Sequence, residues 1–214
     1  MAPGRPRTFD VDRAVAIALR LFIEKGYEGA STGELAAAMG INPPSLYAAF
    51  GNKAALFGRV MDLYGAAIAP VLAEALAEPT ARGVAERFLR GSVDAVTDPG
   101  RPAGCLFVQG ALRCSDGAAA IRDELARRRA AAGPPLCERL TRARDEGDLP
   151  RGEDPASLAR YLCAVANGTA IQAAGGMARE DLQGTVDLAL RAWPAGPGKR
   201  GKASARRASH GDTR

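Results

Sequence analysis

One cysteine of this 214-residue chain lies where a thiol can be chemically reactive. Cys105 follows Gly104 near the predicted start of a helix, where the helix dipole favours a thiolate, and Arg101 is close in sequence. A thiolate at this position would react with oxidants or electrophiles. The alternative is a cysteine that serves as a small buried hydrophobic residue.

Other patterns that carry chemistry are missing from the sequence. The cysteines Cys105, Cys114, Cys137 and Cys163 are widely separated, and His210 is the single histidine. Neither a disulfide framework nor a zinc site is therefore expected. We find no nucleophile–base pairing and no glycine-rich phosphate loop. We expect no catalytic residue, no bound metal and no cofactor, and we expect that the protein is not an enzyme.

The most regular pattern lies between residues 31 and 56 and predicts two short helices followed by the start of a third. Two helices of about two turns, joined by a turn that contains glycine, form a helix-turn-helix, whose second helix enters the major groove of DNA. Helix-boundary signals support the prediction: a capping box of Ser31 and Glu34, a left-handed Gly40, N-caps at Asn42 and Asn52, and Pro43 at a first helical position.

The region from about Thr8 to Val60 resembles the DNA-binding domain of TetR/AcrR-type transcriptional regulators. The resemblance rests on the order and spacing of Gly26-Tyr27, Ser31, Leu35-Ala36, Gly40-Ile41, Ser45-Leu46-Tyr47, Phe50, Lys53 and Leu56-Phe57. It implies a sequence-specific regulator, most often a repressor that a small-molecule effector releases from a palindromic operator. The chain departs from the family at Pro44, which has no backbone N–H to donate to a phosphate.

The resemblance also implies which side chains contact double-stranded operator DNA. Tyr47 lies where family members place an aromatic ring against the phosphate backbone, and Lys53 where a lysine holds a phosphate. Thr32, at the start of the supporting helix, can offer its hydroxyl and backbone N–H to a third phosphate. Short or apolar groups would meet the bases and leave more of the readout to DNA shape: Pro43, Pro44, Ser45 and Ala48. For Tyr47, packing in the core is the alternative.

Helical patterns continue to Trp193, and no segment alternates as a strand would, so we expect an all-α fold. An N-terminal three-helix DNA-binding domain with a helix-turn-helix is followed by a larger helical ligand-binding and dimerisation domain. We expect an N-terminal arm and the helix-turn-helix domain at residues 1–52, the effector-binding and dimerisation domain at 53–193, and a disordered basic tail at 194–214.

The apolar helices between residues 56 and 140 hold more Phe, Met and Tyr than two thin layers need. In a family member such a region encloses a cavity for a small molecule, here of unknown identity. Most of the candidate lining residues, taken singly, could equally be core or surface: Met61, Tyr64, Phe88, Cys105, Phe107, Gln109, Arg113 and Asn167. The polar Gln109 and Asn167 are the better candidates, because burying them unpaired is costly.

The last two predicted helices carry apolar faces and small residues, which suit a close contact between two copies. In relatives of the family these helices pair with their symmetry mates as a four-helix bundle, so we expect a homodimer. The alternative is that the faces complete the core of one protomer. The predicted contact residues are Leu158, Tyr161, Leu162, Val165, Leu182, Val186 and Leu190.

The formal net charge of +5 comes from the tail. Residues 194–214 hold six basic side chains and one acid, and the rest of the chain sums to zero. The tail can attract DNA without regard to sequence through counterion release, or it can be idle. A non-specific DNA-coating protein is therefore the competing class.

The chain shows no uninterrupted apolar run near 18 residues, and its basic start is followed by no apolar segment. We expect a cytoplasmic protein with no membrane partner.

Overall fold

The computed structural model describes residues 10–112 and 116–194. The predicted arm, Arg113, Cys114 and the basic tail lie outside the described residues. Within the described ranges the chain is helical and holds no strand, which confirms the all-α prediction. The helices are α1 (Val11–Gly29), α2 (Thr32–Met39), α3 (Pro43–Phe50), α4 (Lys53–Ala77), α5 (Ala81–Val96), α6 (Leu106–Leu112), α7 (Ala119–Ala130), α8 (Gly133–Asp145), α9 (Pro155–Ala174) and α10 (Arg179–Arg191), with a 3-10 turn at Asp116–Ala118.

Side-chain caps begin five of these helices at the residues that the sequence predicts: Asp10, Ser31, Asn42, Asn52 and Asp154. Asp10 accepts from the backbone N–H of Arg13, and Asp154 caps α9. The capping box of Ser31 and Glu34 is complete, and Asn42 and Asn52 each accept a backbone N–H of the helix that follows. These bonds satisfy N–H groups that a helix start leaves without a carbonyl.

Gly26 ends the first helical segment, as the sequence predicts: its backbone leaves the helical region at φ 75° and ψ 175°, and a short further segment of α1 then runs to Gly29. Two other boundaries differ from the sequence prediction, which places a kink or a new segment at Pro70 and a helix start near Ala103. α4 runs unbroken through Pro70, where we expect a kink or a new segment; Pro70 is exposed, so water can bond the carbonyl that its ring leaves without a donor. α6 begins at Leu106 and not near Ala103, because Gly104 adopts a φ of 106°.

Two hydrophobic cores organise the described chain. The N-terminal core joins α1, α2, α3 and the first half of α4 to α6 and α7, with Phe22 and Phe57 in edge contact at 4.7 Å between ring centroids. The C-terminal core joins the second half of α4 to α5, α8, α9 and α10. α4 thus belongs to both cores, and a shift of this helix must be felt in both.

α4 has the length and hydropathy of a membrane-crossing helix, with a mean hydropathy of 1.5 over 18 residues. Two acids interrupt its sequence, and both are ion-paired: Asp62 with Arg128 of α7, and Glu74 with Arg87 of α5. The helix packs on α1 and α5. These contacts tie α4 to α1, α5 and α7.

Candidate DNA interface and ligand cavity

The outer face of α3 is a solvent-exposed surface made of the residues that we predict to read DNA. Pro43, Pro44, Ser45, Tyr47 and Ala48 are exposed, with 47% of Tyr47 accessible to solvent. The opposite face buries Leu46 and Phe50 in the N-terminal core. The alternative for Tyr47, packing in the core, is therefore wrong. The aromatic ring is free to contact another molecule.

The start of α2 is fixed by an ion pair to α1. Lys25 Nζ lies 2.5 Å from a carboxylate oxygen of Glu34, whose other oxygen accepts the Ser31 backbone N–H at 2.9 Å. These contacts, with that of Lys25 first, lower the pKa of Glu34 from 4.5 to about 2. Thr32 is the first residue of α2, so its N–H has no helical carbonyl partner and can meet a phosphate.

Lys53 opens α4 and is held against the end of α1. Its ammonium lies 4.7 Å from the centroid of the Tyr27 ring and donates to the Glu28 carbonyl at 3.4 Å. Burial is the main cause that lowers the pKa of Lys53 below 10.5. A desolvated cation in a fixed position gains more from an approaching phosphate than a mobile surface lysine does. α3 packs between α2 and α4, so Thr32, Tyr47 and Lys53 belong to one packed unit.

The first turn of α3 has no spare backbone donor. Pro43 and Pro44 carry no N–H, and the N–H of Ser45 donates to Asn42 Oδ1 at 2.9 Å. Contacts at this end of α3 must therefore come from side chains. The loss of a main-chain contact that we predict from Pro44 follows from this geometry.

A cavity of about 250 Å³ lies between the two cores. α4 and α5 form much of its wall, and it also touches the start of α6, the end of α7 and the middle of α9. The lining residues are Tyr64, Gly65, Ile68, Ala69, Val71, Leu72, Phe88, Ser92, Ala95, Val96, Cys105, Phe107, Arg128, Arg129, Ala131, Ala132, Ala166, Asn167 and Ala170. Most are apolar, and a few polar groups converge on the space, as in binding sites for small molecules.

The cavity brings together five of the residues that we predict to bind an effector: Tyr64, Phe88, Cys105, Phe107 and Asn167. Arg113 lies outside the described residues. Met61 and Gln109 do not line this cavity.

The reason in both cases is a different packing partner. Met61 is buried in the N-terminal core. Gln109 is also buried, but its amide lies against Gly104, where an added Cβ would stand 2.6 Å from Gln109 Nε2. The Gln109 amide is therefore packed against Gly104 and does not border the cavity.

Cys105 lies at the junction of the two cores and packs against both. Tyr64 also lines the cavity, and its ring meets the Phe107 ring edge-on at 5.0 Å between centroids. Burial, with the neighbouring Cys105 as second cause, raises the pKa of Tyr64. The Arg101 guanidinium stands 6.0 Å from the Tyr64 ring centroid. The thiol is half-buried and borders the cavity.

The predicted dimer residues divide into two groups. Leu162, Leu182, Val186 and Leu190 are fully buried inside the protomer, so their assignment to a dimer contact is wrong. Their faces of α9 and α10 pack on α5, because an apolar stripe is covered first by the neighbouring helix of its own chain. Leu158, Tyr161 and Val165 are half-buried.

The exposed sides of α9 and α10 present other apolar and small residues. Ile171 is 49% exposed and Leu188 is 60% exposed. Gly168 and Gly184 have open space where a Cβ would be. We name these four residues the outer α9–α10 face. Small residues here permit a close approach of a second helix pair.

Three residues of these sites are not predicted from the sequence. Tyr27 supports Lys53 across 26 positions, and Lys25 clamps α2 from α1. Arg129 borders the cavity, although it belongs to a run of three arginines at the end of α7, a pattern typical of a solvent-exposed helix surface. Tyr27 and Lys25 meet partners in other helices, and Arg129 is placed by the packing of α7, so no local pattern signals these roles.

Comparison with known proteins agrees with the fold. Residues 15–60 match "Bacterial regulatory proteins, tetR family", and residues 85–187 match "Tetracyclin repressor-like, C-terminal domain". The HTH-type transcriptional repressor ComR of Escherichia coli is 31% identical over 193 residues, which cover 89% of this chain and 92% of that protein.

A cysteine mutant of the TetR family transcriptional regulator CifR, solved in complex with 26bp double-strand operator DNA, superimposes with a TM-score of 0.83. It is 39% identical, and the match covers 89% of this chain and all of the other. The described chain thus places a helix-turn-helix below a helical domain that contains a cavity. The chain belongs to the TetR family of bacterial transcriptional regulators and is a DNA-binding protein.

Proposed function

We propose that this protein is a cytoplasmic homodimeric repressor that binds a palindromic operator and leaves it when a small molecule enters the cavity. The observation that carries the proposal is the exposed outer face of α3, a helix that bears Tyr47 and packs on both α2 and α4. Phosphate contacts from Thr32, Tyr47 and Lys53 would fix the register on the duplex. Pro43, Pro44, Ser45 and Ala48 would meet base edges, with DNA shape supplying the rest of the selectivity.

Selection of bound DNA from a random pool by the purified full-length protein tests the proposal. We expect a palindrome whose half-sites lie about one helical turn apart. Recovery of no motif at moderate salt would refute sequence-specific regulation. A variant with Tyr47→Ala serves as the interface control, because its exposed ring can be removed without opening the core.

α4 supplies a route from the cavity to the reading helix. Its N-terminal half carries Lys53 and packs in the N-terminal core, while Tyr64, Ile68 and Leu72 border the cavity. A ligand that favours one position of α4 would change the spacing of the two reading helices in the dimer, and operator affinity with it. A second link joins α1 to the loop before α6, where the Arg20 guanidinium donates to the Gly100 carbonyl at 2.6 Å.

The outer α9–α10 face is the surface on which we propose that two protomers meet. Leu188 and Ile171 would be buried there, and Gly168 and Gly184 would allow the helices to approach. The half-buried Leu158, Tyr161 and Val165 would lie at its margin. Analytical ultracentrifugation of a Leu188→Glu variant tests this: a shift to monomer at micromolar concentration is expected.

A second candidate function is covalent sensing through Cys105, favoured by the place of this half-buried thiol on the cavity wall. The thiolate would add to an electrophilic alkene conjugated to a carbonyl: a carbon–sulfur bond forms, the C=C π bond breaks, and a proton from solvent adds to the α-carbon. Burial raises the pKa of Cys163, so that thiol is the built-in slow control. If iodoacetamide labels Cys105 no faster than Cys163 in native protein, covalent sensing is ruled out.

Non-specific coating of DNA by the basic tail is tested by truncation after Trp193. A specific repressor keeps its operator affinity with a shallower salt dependence, whereas a coating protein loses nearly all binding.

A further inference from the structure

Two polar side chains on the cavity wall have no partner inside the described protein. The guanidinium of Arg129 and the amide of Asn167 make no ion pair or hydrogen bond with any group in residues 10–112 and 116–194. The neighbouring Arg128 contrasts with them. Its Nε lies 2.6 Å from Glu124, and its Nη2 lies 2.6 Å from Asp62.

The charge around the cavity has one sign. Arg128 and Arg129 line it, and none of the described lining residues is an acid. Asp62 and Glu124 do not line the cavity, and both accept hydrogen bonds from Arg128. The half-buried Arg129 is left with unused donors at the edge of an apolar space. No nitrogen of its guanidinium is fully buried, so its donors are open to an acceptor that enters the cavity.

The volume limits the size of the acceptor. A cavity of about 250 Å³ equals roughly eight water molecules of about 30 Å³ each in the liquid, so a ligand of about eight to ten non-hydrogen atoms fills it. Ile68, Leu72 and Phe88 supply an apolar wall for most of that ligand. A planar guanidinium binds a carboxylate through two parallel N–H bonds, and a primary amide adds a further donor.

We propose that the cavity binds a small organic carboxylate, with its apolar tail between α4 and α5 and its carboxylate on Arg129 and Asn167. This proposal rests on the effector-binding role of the cavity given above, and it names the chemical class of the effector. A monocarboxylate suits the site because it carries one charge to desolvate and matches the single unpaired guanidinium. Binding would also tie α7 and α9 to α4, the helix that belongs to both cores.

The test compares acids with their uncharged amides of the same size. Phenylacetate and octanoate are titrated calorimetrically into the full-length protein at pH 7, beside phenylacetamide and octanamide. We expect at least one acid to bind tenfold or more tightly than its amide. Arg129→Gln should reduce this preference to less than threefold. Arg127→Gln is the matched control: it removes the same charge from the same helical turn, but its side chain is 71% exposed and outside the cavity, so the preference should remain.

Other outcomes overturn the carboxylate assignment. Amides that bind as tightly as acids, or acids and amides that both fail to bind at millimolar concentration, exclude a carboxylate effector. An acid preference that survives Arg129→Gln places the anion elsewhere. Ala166→Phe, which fills the cavity, must abolish binding while thermal unfolding remains cooperative. None of these results affects operator selection by the ligand-free protein, so a failed repressor assignment is recognised separately.

Discussion

Lys53 is the contact whose loss should leave the clearest electrostatic signature in DNA binding. The structure uses one of its three N–H donors on the Glu28 carbonyl, which leaves donors for a phosphate. In Lys53→Met the side chain keeps its packing on Tyr27 and loses its charge. A dimer on a palindrome then loses two phosphate contacts.

The magnitude follows from counterion release. Each contact contributes about 0.9 to the slope of log K against log salt, so the slope should fall by about 1.8. If the variant and the wild type bind equally at 1 M salt, the variant should bind about 60-fold more weakly at roughly 0.1 M salt. The loss should be uniform across operator variants, since a phosphate contact carries no base information.

Fluorescence anisotropy with a labelled operator, measured from low to high salt, gives the slope directly. Arg127→Gln is the control for net charge and should leave the slope unchanged. Because the pKa of Lys53 is lowered, its charge is lost as pH rises toward that pKa, and wild-type affinity should fall at a lower pH than an ordinary lysine predicts. The variant should lack this fall. A variant that binds with the wild-type salt slope would refute the phosphate contact.

Three further outcomes are expected. Gly168→Arg should yield a folded monomer by light scattering, because its Cβ meets open space in the protomer, while Gly152→Arg, equally open but in the loop before α9, should remain dimeric. Glu34 has a pKa of about 2 against an ordinary 4.5, so its ionised form stabilises the fold above about pH 4.5, and this stabilisation is lost as pH falls toward 2. Glu34→Gln should therefore have a lower melting temperature at pH 7, and its melting temperature should fall less than that of the wild type as pH is lowered. Gly104→Ala should lower the free energy of unfolding by about 1–3 kcal/mol in urea titration, because a left-handed residue is strained and its Cβ displaces the buried Gln109; an unchanged midpoint would contradict this.

Local signals account for much of what the sequence predicts correctly. Asp10, Ser31, Asn42 and Asn52 cap helices through bonds to residues three positions away, and Asp154 does so through residues two and three away, so short sequence windows contain the whole interaction. Glycine at a positive φ, as at Gly40, is equally local. The exposed face of α3 follows from the spacing of its two buried residues.

Long-range partners account for what the sequence misses. The apolar stripe that contains Leu162 and Val186 fits either a dimer or an intramolecular core, and periodicity does not say which surface covers it. Gln109 and Asn167 look alike as polar residues on apolar helices, yet only Asn167 borders the cavity. The difference arises at Gly104, whose backbone is packed on the Gln109 amide.

The two prolines that open α3 have a thermodynamic consequence for recognition. Their rings hold φ near −65°, so the first turn of an eight-residue helix is restricted before folding and before any DNA arrives. Each such restriction removes about 0.4–1 kcal/mol of unfolded-chain entropy. The first turn of α3 is therefore ordered before it meets the groove. Many DNA-binding segments lose conformational entropy on contact with DNA, but this end of α3 has already lost it on folding.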